Sequence, residues 1–190
     1  MFESFEALDV WLFTLIGQQM ASPLARVFFE EFTMLGSVIF TIAFSVILWS
    51  SGRRKEAVLL IVGLAVVSLL VTPVKVAFPR LRPFEMFGDL GLEPTGAGSS
   101  FPSGHASRAV LLATLLGRGR WKARSLMWTV AILVAFSRIY IGAHWSTDVI
   151  FGGILGWIAG LISLWATGPL LRRLPSSWVT PRHLTRSSRP

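Results

Sequence analysis

Long apolar runs separated by short charged connectors follow one another along the chain as far as residue 171. Stretches 32–52 and 149–171 are uncharged, and each reaches the roughly 20 residues that a helix needs to cross the hydrocarbon core of a bilayer. Stretch 57–74 is slightly shorter and carries Pro73 near its end, which a spanning helix tolerates. Three further runs are weaker: 10–25 contains Gln18 and Gln19, 109–117 is brief, and 125–137 is followed by Arg138. They read as helices packed against the others, their polar ends facing a protein cavity rather than lipid. The pattern predicts an all-α fold, an integral-membrane bundle of six transmembrane helices near 8–25, 31–51, 56–76, 104–117, 123–142 and 148–171. One domain over 1–174 is then followed by a basic cytoplasmic tail over 175–190.

Composition supports this picture: 53% hydrophobic and 15% charged residues depart from a soluble average. A formal net charge of +8 would suit nucleic acid in a soluble protein, but here the cations gather between and after the apolar runs, and no nucleic-acid partner is expected. Arg53, Arg54 and Lys55, then Arg118, Arg120, Lys122 and Arg124, then the five arginines from Arg172 to Arg189 fall on one side of a six-helix bundle. Twelve Lys and Arg lie there, against six on the other side. The positive-inside rule makes that side, and both termini, cytoplasmic. The opposite face receives the 18–30 connector, the 78–103 loop and the 143–147 turn. Glu3, Glu6 and Asp9 stand where a cleaved leader carries Lys or Arg, so none is expected. The lack of cysteine excludes disulfides and thiolate zinc sites.

The 78–103 loop is rich in Gly, Pro and Ser from Gly88 onward and longer than an ordinary helix connection, which marks it as a lid or substrate entrance. Two of the three histidines, His105 and His144, sit at predicted outer helix ends, and the third, His183, belongs to the tail. Ser103 and Gly104 open the fourth helix, where unpaired N–H groups and the helix dipole favour an anion; the alternative is an ordinary Ser N-cap. Lys75 and Arg82 are seven positions apart, close to one helical face until Pro79 bends or ends the helix. With Arg138, whose planar fork suits two phosphate oxygens, they make a phosphate cradle. His144 and Asp148 are spaced i and i+4, so the carboxylate can accept one imidazole N–H and leave the other nitrogen to attack; a helix-capping pair is the alternative. His105, His144 and Asp148 could also hold iron or zinc, but three nearby cations repel a divalent ion, so no metal and no cofactor is expected.

Lys75-Val-Ala-Phe-Pro-Arg-Leu-Arg82-Pro83, Pro102-Ser-Gly-His105, and Ser137-Arg138 followed by His144 and Asp148 together resemble the three signatures of the type 2 phosphatidate phosphatase superfamily, which also contains vanadium haloperoxidases. The resemblance covers residues 75–148 directly and is closest to the small bacterial membrane lipid phosphatases. It implies that Lys75, Arg82, Ser103, the Gly104 backbone and Arg138 bind phosphate, that His144 forms a phospho-histidine oriented by Asp148, and that His105 protonates the leaving oxygen. It also implies a multi-pass protein of the bacterial plasma membrane with its site on the periplasmic or extracellular face. A short membrane-spanning chain is unlike a haloperoxidase, and the complete catalytic set argues against an inactive lipid-binding protein.

A site at the membrane interface favours a lipid phosphate or diphosphate as the partner, with phosphatidate, phosphatidylglycerophosphate, undecaprenyl diphosphate and lipid A phosphates the candidates in the resembling family. A lipid phosphotransferase is the neighbouring alternative. Trp145 and Phe101 flank the site, as lining of a lipid entrance or as interface anchors. Glu30 and Glu31 read either as water contacts or as residues near the cavity.

Overall fold

A computed structural model describes residues 2–20, 22–87, 98–119 and 121–173, all of them helical or in connections between helices. The 88–97 part of the predicted lid, the 175–190 tail and His183 lie outside the described residues. The described residues form eight α-helices: α1 Phe2–Phe13, α2 Pro23–Thr33, α3 Val38–Ser50, α4 Arg54–Ala77, α5 Pro83–Phe87, α6 Gly104–Leu116, α7 Trp121–Tyr140 and α8 Ser146–Arg173. The described residues contain three helices long and apolar enough to cross a membrane, Arg54–Ala77, Trp121–Tyr140 and Ser146–Pro169, or four if a bent pair is counted as one. Large apolar side chains such as Ile39, Leu69, Val76 and Trp165 stand more than 70% exposed on the outside of the bundle, an arrangement suited to lipid rather than water. The protein is a helical membrane protein.

The first two predicted helices differ from the structure. In place of one helix over 8–25, α1 stops at Phe13 and continues as a π-helical segment to Gln19. The expected 18–30 connector holds α2. Ser22 caps it, accepting from the Ala25 N–H at 3.2 Å, and Pro23 supplies a first residue that needs no hydrogen-bond partner. In place of one helix over 31–51, α2 runs through a 3₁₀ turn, Met34–Gly36, and α3 restarts at a 58° angle. Ser37 sets the angle: it is extended (φ −76°, ψ 159°), and its hydroxyl accepts from the Phe40 N–H at 3.0 Å. The bend brings Gly36 against α6, where a Cβ would stand 2.8 Å from the His105 carbonyl oxygen.

α6 is the hub, packed against α4, α7 and α8. Small and aliphatic residues bury it on most sides, among them Ala106, Ser107, Ala109, Leu111 and Ala113, which is why its sequence shows no amphipathic stripe. α8 offers it a row of glycines one helical turn apart. A Cβ on Gly152 would overlap the Ser103 carbonyl oxygen, one on Gly156 would overlap that of Ser107, and one on Gly160 would stand 2.6 Å from Thr114. The row lets two helix backbones meet, a common means of packing helices in a bilayer. Leu48, Leu60, Val67, Leu111 and Leu115 fill the space between α3, α4 and α6.

Candidate active site

Four helix ends meet at one end of this bundle. α4 delivers Lys75 in its last turn and ends at Phe78, as expected before a proline. The chain from 78 to 82 then pairs with 98–101: Ser100 N–H donates to the Arg80 carbonyl at 2.9 Å, and Arg80 N–H donates to Ser99 Oγ at 3.1 Å. Lys75 Nζ donates to the Ser99 carbonyl at 2.6 Å. Arg82, 5% exposed, donates from Nη1 to the Ala143 carbonyl at 3.0 Å.

α6 begins at this same place. Ser103 is its N-cap, with the Ala106 N–H 3.4 Å from Oγ, so the ordinary capping role is present. Ser103 N–H donates to the Asp148 carbonyl at 2.9 Å and ties the start of α6 to the start of α8. The first N–H groups of α6, with no carbonyl one turn earlier to bond, leave the positive end of the helix dipole beside the cations. His105 lies within electrostatic range of Arg138, Arg108, His144 and Arg82, and Lys75 within range of Arg82, Asp148, Arg108 and Arg138. Arg138, at the end of α7, donates from Nη1 to Thr33 Oγ1 at 3.2 Å, while its buried Nε has no hydrogen-bond partner. A buried guanidinium N–H without a partner is uncommon and fits a site shaped to receive an anion.

The turn from α7 to α8 carries His144. Gly142 takes φ 71°, and both Ala143 N–H and His144 N–H donate to the Arg138 carbonyl at 3.1 Å, closing the end of α7 in a left-handed turn. His144 is 3% exposed, and its Nδ1 stands 3.6 Å from Asp148 Oδ2, adjacent but beyond hydrogen-bond length. Asp148 is engaged elsewhere. Its Oδ2 accepts from the Trp145 N–H at 2.9 Å, a capping box at the start of α8, and its Oδ1 accepts from Arg80 Nη1 at 2.7 Å. Burial pushes the His144 imidazole down to about 3, outweighing the opposite pull of the Asp148 carboxylate. The ring is therefore neutral at physiological pH, as a nucleophile must be.

Three residues around the site carried no role in the sequence reading. Arg80 bridges two carboxylates, Asp148 and, through Nη2 at 2.8 Å, Asp9. Asp9, on α1 and 1% exposed, also accepts from the Thr147 N–H at 2.9 Å and from the Ser146 and Thr147 hydroxyls. Arg108 donates from Nε to the Gly36 carbonyl at 2.7 Å. An ionisable residue inside an apolar run was the available signal for Asp9 and Arg108. Trp145, expected at a lipid entrance or an interface, is instead buried, because its Nε1–H donates to the Leu81 carbonyl at 2.8 Å and its ring packs edge-on to Phe13 at 5.9 Å. Phe101 contacts Phe78 and Phe151. Glu30 and Glu31 are both on α2, Glu31 exposed. Among the described residues, no group of three His, Asp or Glu side chains is placed to hold a metal ion.

A bundle with cations and two histidines at the joined ends of four helices defines a class, and residues 56–171 match the PAP2 superfamily. The chain belongs to that superfamily. It is 37% identical over 128 residues to an undecaprenyl-diphosphatase of Sulfolobus acidocaldarius, a match that covers 62% of this chain and 59% of that relative's length. Its fold is similar to the crystal structure of Aquifex aeolicus LpxE, with TM-score 0.72 and 32% identity over 83% of this chain and 95% of the other. It is also similar to a transmembrane PAP2-type phosphatidylglycerolphosphate phosphatase from Bacillus subtilis, with TM-score 0.75 and 22% identity over 90% of each chain.

Proposed function

We propose that the protein hydrolyses a lipid phosphate or diphosphate through a phospho-histidine, without a metal ion. The observation that carries this reading is the convergence of Lys75, Arg82, Arg138 and the start of α6 on His105 and a neutral, buried His144. The cations and the α6 N–H groups hold the transferring phosphoryl group, whose charge is spread over its oxygens. His144 Nε2 attacks phosphorus, a nitrogen–phosphorus bond forms, and the bond to the leaving oxygen breaks. His105 gives that oxygen a proton, then takes one from the water that attacks the phospho-histidine and releases phosphate. Asp148, 3.6 Å from Nδ1, stabilises the imidazolium that develops as Nε2 is phosphorylated.

The relative from Sulfolobus acidocaldarius, an undecaprenyl-diphosphatase, favours a polyprenyl diphosphate among the candidates. Six spans, a site on the periplasmic or extracellular face of the plasma membrane and cytoplasmic termini complete the reading, supported by the distribution of Lys and Arg. Purified protein in detergent should release phosphate from a lipid phosphate in the presence of EDTA, and acid quenching should trap phosphate on protein. Undiminished turnover by His144→Ala would overturn the mechanism.

A further inference from the structure

Arg108 is a cation of this site that none of the three motifs contains. It stands four residues after Gly104 on the same face of α6, and helical side chains lean back toward the N-terminus. Its Nη1 accordingly lies 3.0 Å from where a Gly104 Cβ would be, beside the start of the helix. One edge of the guanidinium is anchored, with Nε donating to the Gly36 carbonyl at 2.7 Å. On the same side, Nη2 approaches His105 Nδ1 at 3.5 Å. Among the described residues no carboxylate pairs with it.

We propose that Arg108 binds the second, non-transferred phosphate of a diphosphate substrate, and so makes this site selective for diphosphates over monophosphates. The inference rests on the mechanism proposed above. In a displacement by His144, the oxygen protonated by His105 is the leaving oxygen, and in a diphosphate that oxygen bridges to the second phosphorus. The second phosphate must therefore lie next to His105, and Arg108 is the guanidinium in contact with that ring. When the bond from the transferred phosphorus to the bridging oxygen breaks, its electron pair stays on that oxygen and takes the His105 proton, and the lipid monophosphate leaves still carrying the negative charge of its own phosphate. A guanidinium offers two parallel N–H groups to such a group.

The test uses purified full-length protein with farnesyl diphosphate and farnesyl monophosphate, which share one tail. Arg108→Gln should lower the ratio of kcat/KM for the diphosphate to that for the monophosphate by roughly 10- to 100-fold, the value of a charged hydrogen bond. Arg108→Lys, which keeps the charge but not the fork, should recover part of the ratio; a role confined to packing would give no such recovery. Equal losses on both substrates, or no change in the ratio, would overturn the Arg108 assignment alone. Full activity of His144→Ala would instead overturn the underlying mechanism and this inference with it.

Discussion

Asp9 on α1 and Asp148 on α8 hold opposite ends of one guanidinium, that of Arg80, at 2.8 and 2.7 Å. Asp148 faces His144, so a residue of the first helix is linked through two side chains to the proposed nucleophile. Asp9 also holds the first turn of α8 through Ser146 and Thr147, which fixes the direction in which Asp148 points. The buried ion pairs thus support the proposed nucleophile as well as joining helices.

Removing Asp9 should expose this link. Asp9→Ala leaves Arg80 with one carboxylate and two hydroxyls without their acceptor, a loss of roughly 3 kcal/mol in stability. Asp9→Asn keeps the shape and should unfold closer to wild type while still lowering kcat. Thermal unfolding in detergent and steady-state kinetics separate the two effects, and an Asn variant with wild-type kcat would remove Asp9 from the catalytic support.

His105 as proton donor predicts a dependence on the leaving group. His105→Ala should lose on the order of 100-fold or more in kcat on a lipid phosphate, whose alkoxide leaves poorly without a proton. On p-nitrophenyl phosphate, whose phenolate leaves unaided, the loss should be much smaller. Equal losses on both substrates would contradict the assignment.

Burial of His144 has a consequence for acid stability. Its folded value of about 3 lies below the ordinary 6.5, so between those two pH values the unfolded chain binds a proton that the folded protein does not. Stability contributed by the neutral ring is therefore lost as pH falls from 6.5 toward 3. Wild-type melting temperature should drop more steeply over that range than that of His144→Gln. Parallel curves would mean that the ring titrates normally in the folded protein.

The glycines of α8 make a paired prediction. Gly153 has its nearest neighbour 3.6 Å from a built Cβ, so Gly153→Ala should be neutral or stabilising by up to about 1 kcal/mol. At Gly156 the same methyl would overlap the Ser107 carbonyl oxygen and force α6 away from α8, at a cost of about 1–3 kcal/mol. Melting temperatures of the two variants should move in opposite directions or differ by several degrees, and equal values would argue against close backbone packing there.

The catalytic candidates were readable because they stand at helix ends, where a polar residue interrupts an apolar run and the spacing is short. Lys75, Ser103, Arg138 and His144 all mark such boundaries. The residues that hold them in place were not. Asp9, Thr33 and the Gly36 carbonyl reach Arg80, Arg138 and Arg108 from more than 70 positions away, and no periodicity records a contact of that kind. Most of α2 was read as a connector because Arg26, Glu30 and Glu31 interrupt its hydropathy, although Ser22-Pro23 carried the mark of a helix start. The bend at Ser37 was hidden for the opposite reason, since uniform hydropathy on both sides of a break looks like one helix.

Each of three elements before residue 53 touches a different arginine at the site: α1 reaches Arg80, α2 reaches Arg138, and the turn before α3 reaches Arg108. The segment matched to the family begins only at residue 56. Substitutions before residue 56 can therefore change how these three charges are aimed while leaving every one of the motifs intact. In this chain the means of adjusting the charges lies outside the signature that defines its family.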